Sequence, residues 1–91
     1  MIDGMYASEA NFHARMCERG KKLEYVGRRG ARFDLDGLCY KPDFRDPESG
    51  DFYEVCGSKQ ALKDRKHVIK LFRRHHPDLR LFGVWPDGSN A

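Results

Sequence analysis

The residue pattern predicts an α/β chain, a sheet with two packing helices. Three observations carry that prediction. Two segments repeat apolar residues at helical spacing, short apolar or alternating runs lie between and after them, and Asp36-Gly37 supplies a strong hairpin-turn signal. Residues 5–19 form the first helical segment, with Met5, Phe12 and Met16 on one stripe, Ala10 and Cys17 alongside, and Gly20 as a C-terminal stop. Leu23–Arg28 reads as a first strand. Phe33 and Leu35 then alternate with polar residues up to the Asp36-Gly37 turn, and Leu38–Phe44 is the return strand. A turn-rich loop, residues 45–50, leads to the aromatic and β-branched strand Phe52–Cys56. Gly57 breaks that strand, and Ser58 is a natural N-cap for a helix running to about His76, where Pro77 stops it. Leu62, Ile69 and Phe72, flanked by Val68 and Leu71, form the apolar face of this helix, and Leu79–Trp85 is the last strand. The expected order is α-β-β-β-α-β.

At 91 residues the chain is expected to make one domain, residues 1–91, and a composition of 40% apolar and 34% charged residues is that of a globular rather than a disordered protein. No apolar run approaches a membrane span and no charged-then-apolar leader opens the chain, so neither a membrane nor a secreted protein is expected. Cys17, Cys39 and Cys56 cannot all pair and form no C-x-x-C, which fits a reduced, cytoplasmic setting.

The net charge of +3 conceals a division. Residues 59–76 hold seven bases (Lys59, Lys63, Arg65, Lys66, Lys70, Arg73, Arg74) against one acid, Asp64, a net of +6. Just before them, Asp34 to Glu54 holds seven acids against Lys41 and Arg45, a net of −5. Adjacent blocks of opposite sign suggest a site that holds a cation beside a surface that holds a polyanion. Lys59, Lys63, Lys66, Lys70 and Arg73 recur at intervals of three and four, so they share one helical face able to follow a phosphate backbone.

Two carboxylates stand in apolar surroundings. Glu9 shares the stripe of Met5, Phe12 and Met16 on the first helix, and Glu54 lies in the middle of Phe52-Tyr53-Glu54-Val55-Cys56. A buried carboxylate needs a partner: an arginine, a backbone amide or a metal ion. Asp43, after Pro42 at the end of the return strand, can approach Glu54 from the neighbouring strand only if a cation neutralises the pair or the two share a proton. Oxygen ligands of this kind favour Mg²⁺ or Mn²⁺ over zinc. His75-His76 at a helix end suits the helix dipole, and the histidines and cysteines have no zinc spacing.

Lys41-Pro42-Asp43-Phe44, ten intervening residues, then Tyr53-Glu54-Val55-Cys56-Gly57 resembles the PD-(D/E)XK nuclease superfamily, which includes restriction endonucleases, Holliday-junction resolvases and some homing endonucleases. The resemblance extends over about residues 8–85 and includes the expected element order. It implies a minimal restriction-endonuclease-like core, a mixed central sheet flanked by two helices. It further implies Mg²⁺- or Mn²⁺-dependent hydrolysis of DNA by an endonuclease, of a kind often found in phages or mobile elements. Carried onto this chain, it makes Glu9, Asp43 and Glu54 the metal ligands with the Val55 carbonyl as a fourth, and the family's E-x-K lysine falls on Cys56. Lys59 is the expected substitute. Gln60 is another, provided that the strand continues far enough to keep its parity with Glu54. Lys63, Lys66, Lys70 and Arg73 would hold backbone phosphates, and cutting both strands of a duplex implies a homodimer. The alternative left open by Cys56 is a catalytically inactive nucleic-acid-binding subunit that keeps the nuclease fold.

Overall fold

The computed structural model describes residues 5–27, 30 and 32–91. Its elements are α1 (Ala7–Glu18), β1 (Glu24–Tyr25), β2 (Phe33–Leu35), β3 (Leu38–Tyr40), β4 (Phe44–Arg45), β5 (Phe52–Val55), α2 (Lys59–His75) and β6 (Leu81–Val84). The chain is α/β. Four strands form a mixed sheet in the order β1-β4-β5-β6, antiparallel across its first two pairs and parallel between β5 and β6, while β2 and β3 pair as a separate hairpin.

Local chemistry explains where the helices stop and start. Gly20 has φ +78°, and past α1 the Gly20 and Lys21 N–H groups donate to the carbonyls of Cys17 and Met16 at 3.0 and 2.9 Å, a Schellman ending that uses the left-handed conformation glycine permits. Ser58 Oγ accepts the Ala61 N–H at 3.1 Å and caps α2 as its position in the sequence suggested. Arg73, Arg74 and His75 lie in the last turn of α2, against the negative end of its dipole. The Asp36-Gly37 turn has φ of 58° and 89°, the paired positive values of a tight hairpin, with the Gly37 N–H donating to Asp34 Oδ1 at 2.9 Å.

The expected return strand Leu38–Phe44 is corrected: it is two strands, β3 and β4, in different sheets. Proline has no N–H and forces an extended backbone on the residue before it, so the chain leaves the hairpin at Lys41-Pro42 and re-enters pairing at Asp43. There the Asp43 N–H donates to the Tyr53 carbonyl at 3.0 Å, and the Asp43 carbonyl accepts the Val26 N–H at 2.9 Å. The element order is therefore α-β-β-β-β-β-α-β rather than α-β-β-β-α-β. With the hairpin set apart, three strands of the main sheet precede α2 and one follows it. Of the expected first strand, Arg28 lies outside the described residues, and pairing proper is confined to Glu24–Tyr25.

The sheet separates two apolar layers. Met5, Phe12 and Met16 of the α1 segment pack with Leu23, Phe44, Val55 and Val84, while Ile69 and Phe72 of α2 pack with Leu35 and Tyr40 of the hairpin and with Phe52 and Leu81. Along β5 the period of two sends Tyr53 and Val55 to the first layer and Phe52 to the second. Phe72 is the hub of the second layer, with Phe33, Tyr40, Phe52 and His76 around its ring at centroid distances of 4.8–6.0 Å. The two helix boundaries give a direct check. Gly20→Ala, at a site with open space for a methyl group, is expected to lower stability by about 1 kcal/mol through its positive φ alone. Ser58→Ala is expected to lose about 1 kcal/mol through the cap. Urea unfolding should register both as lower midpoints with an unchanged slope.

Candidate acid site

Glu9, Asp43 and Glu54 come from three different parts of the chain and are all buried, Glu9 and Glu54 retaining only 6% and 5% exposure. Glu9 stands in the third position of α1, where its Oε1 accepts the Tyr6 N–H at 2.9 Å and the Tyr25 hydroxyl at 3.3 Å. It thus caps its own helix while facing the sheet. Asp43 follows the Pro42 break, and its Oδ2 accepts the buried Val55 N–H at 2.8 Å. Glu54 has the parity of Phe52 and faces the second layer. There its Oε1 accepts the Tyr40 hydroxyl at 2.5 Å, and its Oε2 lies 3.7 Å from Arg65 Nε.

Asp43 lies close enough to act electrostatically on both of the others, on Glu9 on one side and on Glu54 on the other. Glu9 belongs to the α1 layer and Glu54 to the α2 layer, so the acids form a chain through the sheet rather than a ring. Among the described residues no three His, Cys, Asp or Glu side chains form a ready-made cage around one point. Their crowding has an electrostatic cost. Burial first, then hydrogen bonding to Asp43, pushes Glu9 from an ordinary 4.5 up to about 7. Burial first, then the charge of Glu54, pushes Asp43 from 3.8 up to about 7. Burial and Glu54 also push the Tyr40 hydroxyl up, which keeps it a donor at neutral pH.

No protein family, curated protein or solved structure matches this chain. The site's chemistry therefore has to be read from its own residues. The donors are all carboxylate oxygens, a set suited to a hard divalent cation such as Mg²⁺ or Mn²⁺. A cation among them would offset the burial and the neighbouring charge that raise Glu9 and Asp43. In donor type and charge these residues would suit such an ion, although among the described residues no three of them surround one point.

The remaining expected residues are distributed differently. Val55 lies beside the acids through its N–H to Asp43. Cys56 is fully buried, and burial followed by the charge of Glu54 pushes its thiol up, which disfavours the thiolate. Lys59 opens α2 on the exposed surface. The condition set for Gln60 is not met: β5 ends at Val55, Gln60 is helical, and its Nε2 donates to Asp64 Oδ1 at 3.0 Å. Lys63 is exposed. Lys66, Lys70 and Arg73 border a groove of about 320 Å³ floored by Leu62, Ile69 and Gly83, and Arg73 Nη2 donates to the Leu81 carbonyl at 3.0 Å.

Among the described residues the basic group paired with one of these acids is Arg65, 3.7 Å from Glu54, which sequence reading counted only as part of the positive block. Its signal was present: it falls three residues after Leu62, four before Ile69 and seven before Phe72, on the stripe that faces the sheet. The same argument that singled out Glu9 on the first helix applies to Arg65 on the second. Tyr40 falls inside the expected return strand Leu38–Phe44 and was not singled out there, although its hydroxyl donates to Glu54 Oε1.

The shifted carboxyls give stability a defined pH dependence. An unfolded chain ionises Glu9 and Asp43 near pH 4, whereas the folded chain holds their protons until about pH 7. Their contribution is complete below pH 4 and is lost as pH rises through 7. In EDTA the melting temperature should therefore fall between pH 5 and pH 8. Asp43→Asn, whose amide oxygen still accepts the Val55 N–H, should flatten that fall and melt higher than wild type at pH 8. Identical pH profiles for the two proteins would reject the coupled acid site.

Proposed function

We propose that this chain is a divalent-cation-dependent nuclease that hydrolyses phosphodiester bonds of DNA, acting as an endonuclease. One observation carries the reading: three buried carboxyls, Glu9, Asp43 and Glu54, meet at Asp43, with Glu9 pushed up to about 7 by burial and by Asp43, and Asp43 pushed up to about 7 by burial and by Glu54. Apolar packing gives no reason for three acids there, and a cation does. The Pro42-Asp43 and Glu54-Val55 elements on adjacent strands, and a main sheet with three strands before α2 and one parallel strand after it, support a restriction-endonuclease-like core.

Glu9, Asp43 and Glu54, with the Val55 carbonyl, would hold Mg²⁺ or Mn²⁺. When bound, such an ion activates a water for attack on phosphorus and offsets the charge that develops on the phosphate oxygens. The chain's own groups do the rest. Asp43 is fixed by the Val55 N–H and Glu54 by the Tyr40 hydroxyl, so two ligands are oriented before any ion arrives. Lys63, Lys66, Lys70 and Arg73 supply cations for the DNA backbone, with an affinity that falls steeply as salt rises. Cutting both strands of a duplex takes two copies of the site, which makes a homodimer the working assembly.

The test is incubation of purified protein with labelled duplex, single-stranded and branched DNA in Mg²⁺, Mn²⁺ or EDTA. Cleavage is expected with metal and none in EDTA, and Glu54→Ala or Asp43→Asn should lower the rate by at least about 100-fold. Products that persist unchanged in Glu54→Ala would reject the site. Salt-sensitive DNA binding without cleavage under any metal would point instead to the catalytically inactive subunit, for which the burial of Cys56 at the family's lysine position speaks.

A further inference from the structure

We propose that Cys17 and His13 form a thiol–imidazole pair on the surface of α1, which makes Cys17 a site of reversible S-thiolation by small disulfides. The site is separate from the nuclease reading and does not depend on it.

Helical spacing of four residues brings the two side chains together, and Cys17 Sγ lies 3.8 Å from His13 Nε2. The imidazole ring is held in place. It stacks on Phe44 with centroids 5.7 Å apart and planes 10° from parallel. Phe44 is itself fully buried in β4, with the rings of Phe12 and Tyr25 at 5.3 and 5.4 Å. A nucleophile, a proton acceptor within reach and a third group that orients the acceptor are the parts an activated thiol needs. In the tautomer with its proton on Nδ1, His13 accepts the thiol hydrogen at Nε2. Cys17 is exposed, so a disulfide can reach its sulfur.

The other two cysteines supply the contrast. Cys56 is fully buried and closed to reagents. Cys39 is exposed, but its register partner across the hairpin is Asp34, a carboxylate, which repels a thiolate instead of drawing off its proton. Exposure admits a reagent at both Cys17 and Cys39, and the imidazole distinguishes the first from the second.

The small disulfide is the oxidant, and the step balances with nothing further. The Cys17 proton passes to His13 Nε2, and the thiolate attacks one sulfur of the disulfide. A new S–S bond forms to Cys17 while the old one breaks with its electron pair on the leaving sulfur, which takes the proton from His13. Cys17 is oxidised and the departing thiol is the reduced product. A second small thiol reverses the step by the same exchange.

The test is incubation of the folded protein with oxidised glutathione, with each cysteine followed by peptide mass mapping. Cys17 should be labelled at least about 5-fold faster than Cys39, with Cys56 protected and the label removed by dithiothreitol. His13→Gln should slow Cys17 about 5-fold and leave Cys39 unchanged, a result that general loosening of the fold does not produce. In concentrated urea, where helical spacing and ring stacking are gone, the wild-type rates at Cys17 and Cys39 should come within about 2-fold of each other. Equal labelling of Cys17 and Cys39 in the folded chain overturns the pair, as does an unchanged Cys17 rate in folded His13→Gln. If that variant exposes Cys56 and so proves unfolded, the urea comparison decides. A preference for Cys17 that survives in urea belongs to the neighbouring sequence and overturns the proposal.

Discussion

The hydrogen bond from the Val55 N–H to Asp43 Oδ2 holds the acid site together, and it follows from a break in the sheet. Pro42 turns the chain out of β3 and back into pairing only at Asp43, so β5 has no continuous neighbour along that edge to receive the Val55 amide. Left unpaired, a buried amide would cost about 1–3 kcal/mol. The Asp43 carboxylate meets it, and so is fixed between Glu9 and Glu54. Glu9 approaches from one layer and Glu54 from the other, and the raised affinity of Glu9 and Asp43 for protons follows first from their burial and then from their charged neighbours.

Much of this was legible in the sequence because the signals are local. Asp36-Gly37 specifies its turn through backbone conformation, Ser58 its helix start through one oxygen, Gly20 its helix stop through a positive φ. Glu9 was legible because a charged residue on an apolar stripe breaks the pattern. The rest was hidden for definable reasons. The run Leu38–Phe44 has strand-like composition throughout, and only the missing N–H of Pro42 separates hairpin from sheet. Arg65 vanished into a count of charges, where its sign was noted but not its direction. Tyr40 looked like any aromatic core residue, since periodicity reveals where a ring is buried and not what its hydroxyl reaches.

The acidic block also resolves into separate tasks. Asp34 bonds the hairpin turn through Gly37, and Asp46 accepts the Glu48 N–H at 2.9 Å within the following loop. Asp51 forms a two-pronged pair with Arg80 at 2.8 and 3.1 Å, which ties the start of β5 to the residue before β6. Asp36 forms the turn itself, Glu48 is exposed in the loop, and Asp43 and Glu54 remain for the candidate site, joined there by Glu9 from outside the block. Net charge over a segment thus located the site without resolving it, because a local turn and a functional carboxylate contribute the same sign.

The outer side of β6 carries a consequence for how copies of this chain meet. The carbonyls of Arg80 and Val84 point inward to β5, where they accept the Phe52 and Cys56 N–H groups, so those of Leu81 and Gly83 face outward. Both outward carbonyls are occupied: Leu81 accepts from Arg73, and Gly83 accepts the Ala91 N–H at 2.9 Å. An exposed strand with free acceptors is a template on which another chain can crystallise its own backbone, the first step of fibrous aggregation. With those acceptors taken, that edge of β6 offers no free carbonyl at Leu81 or Gly83 for such templating.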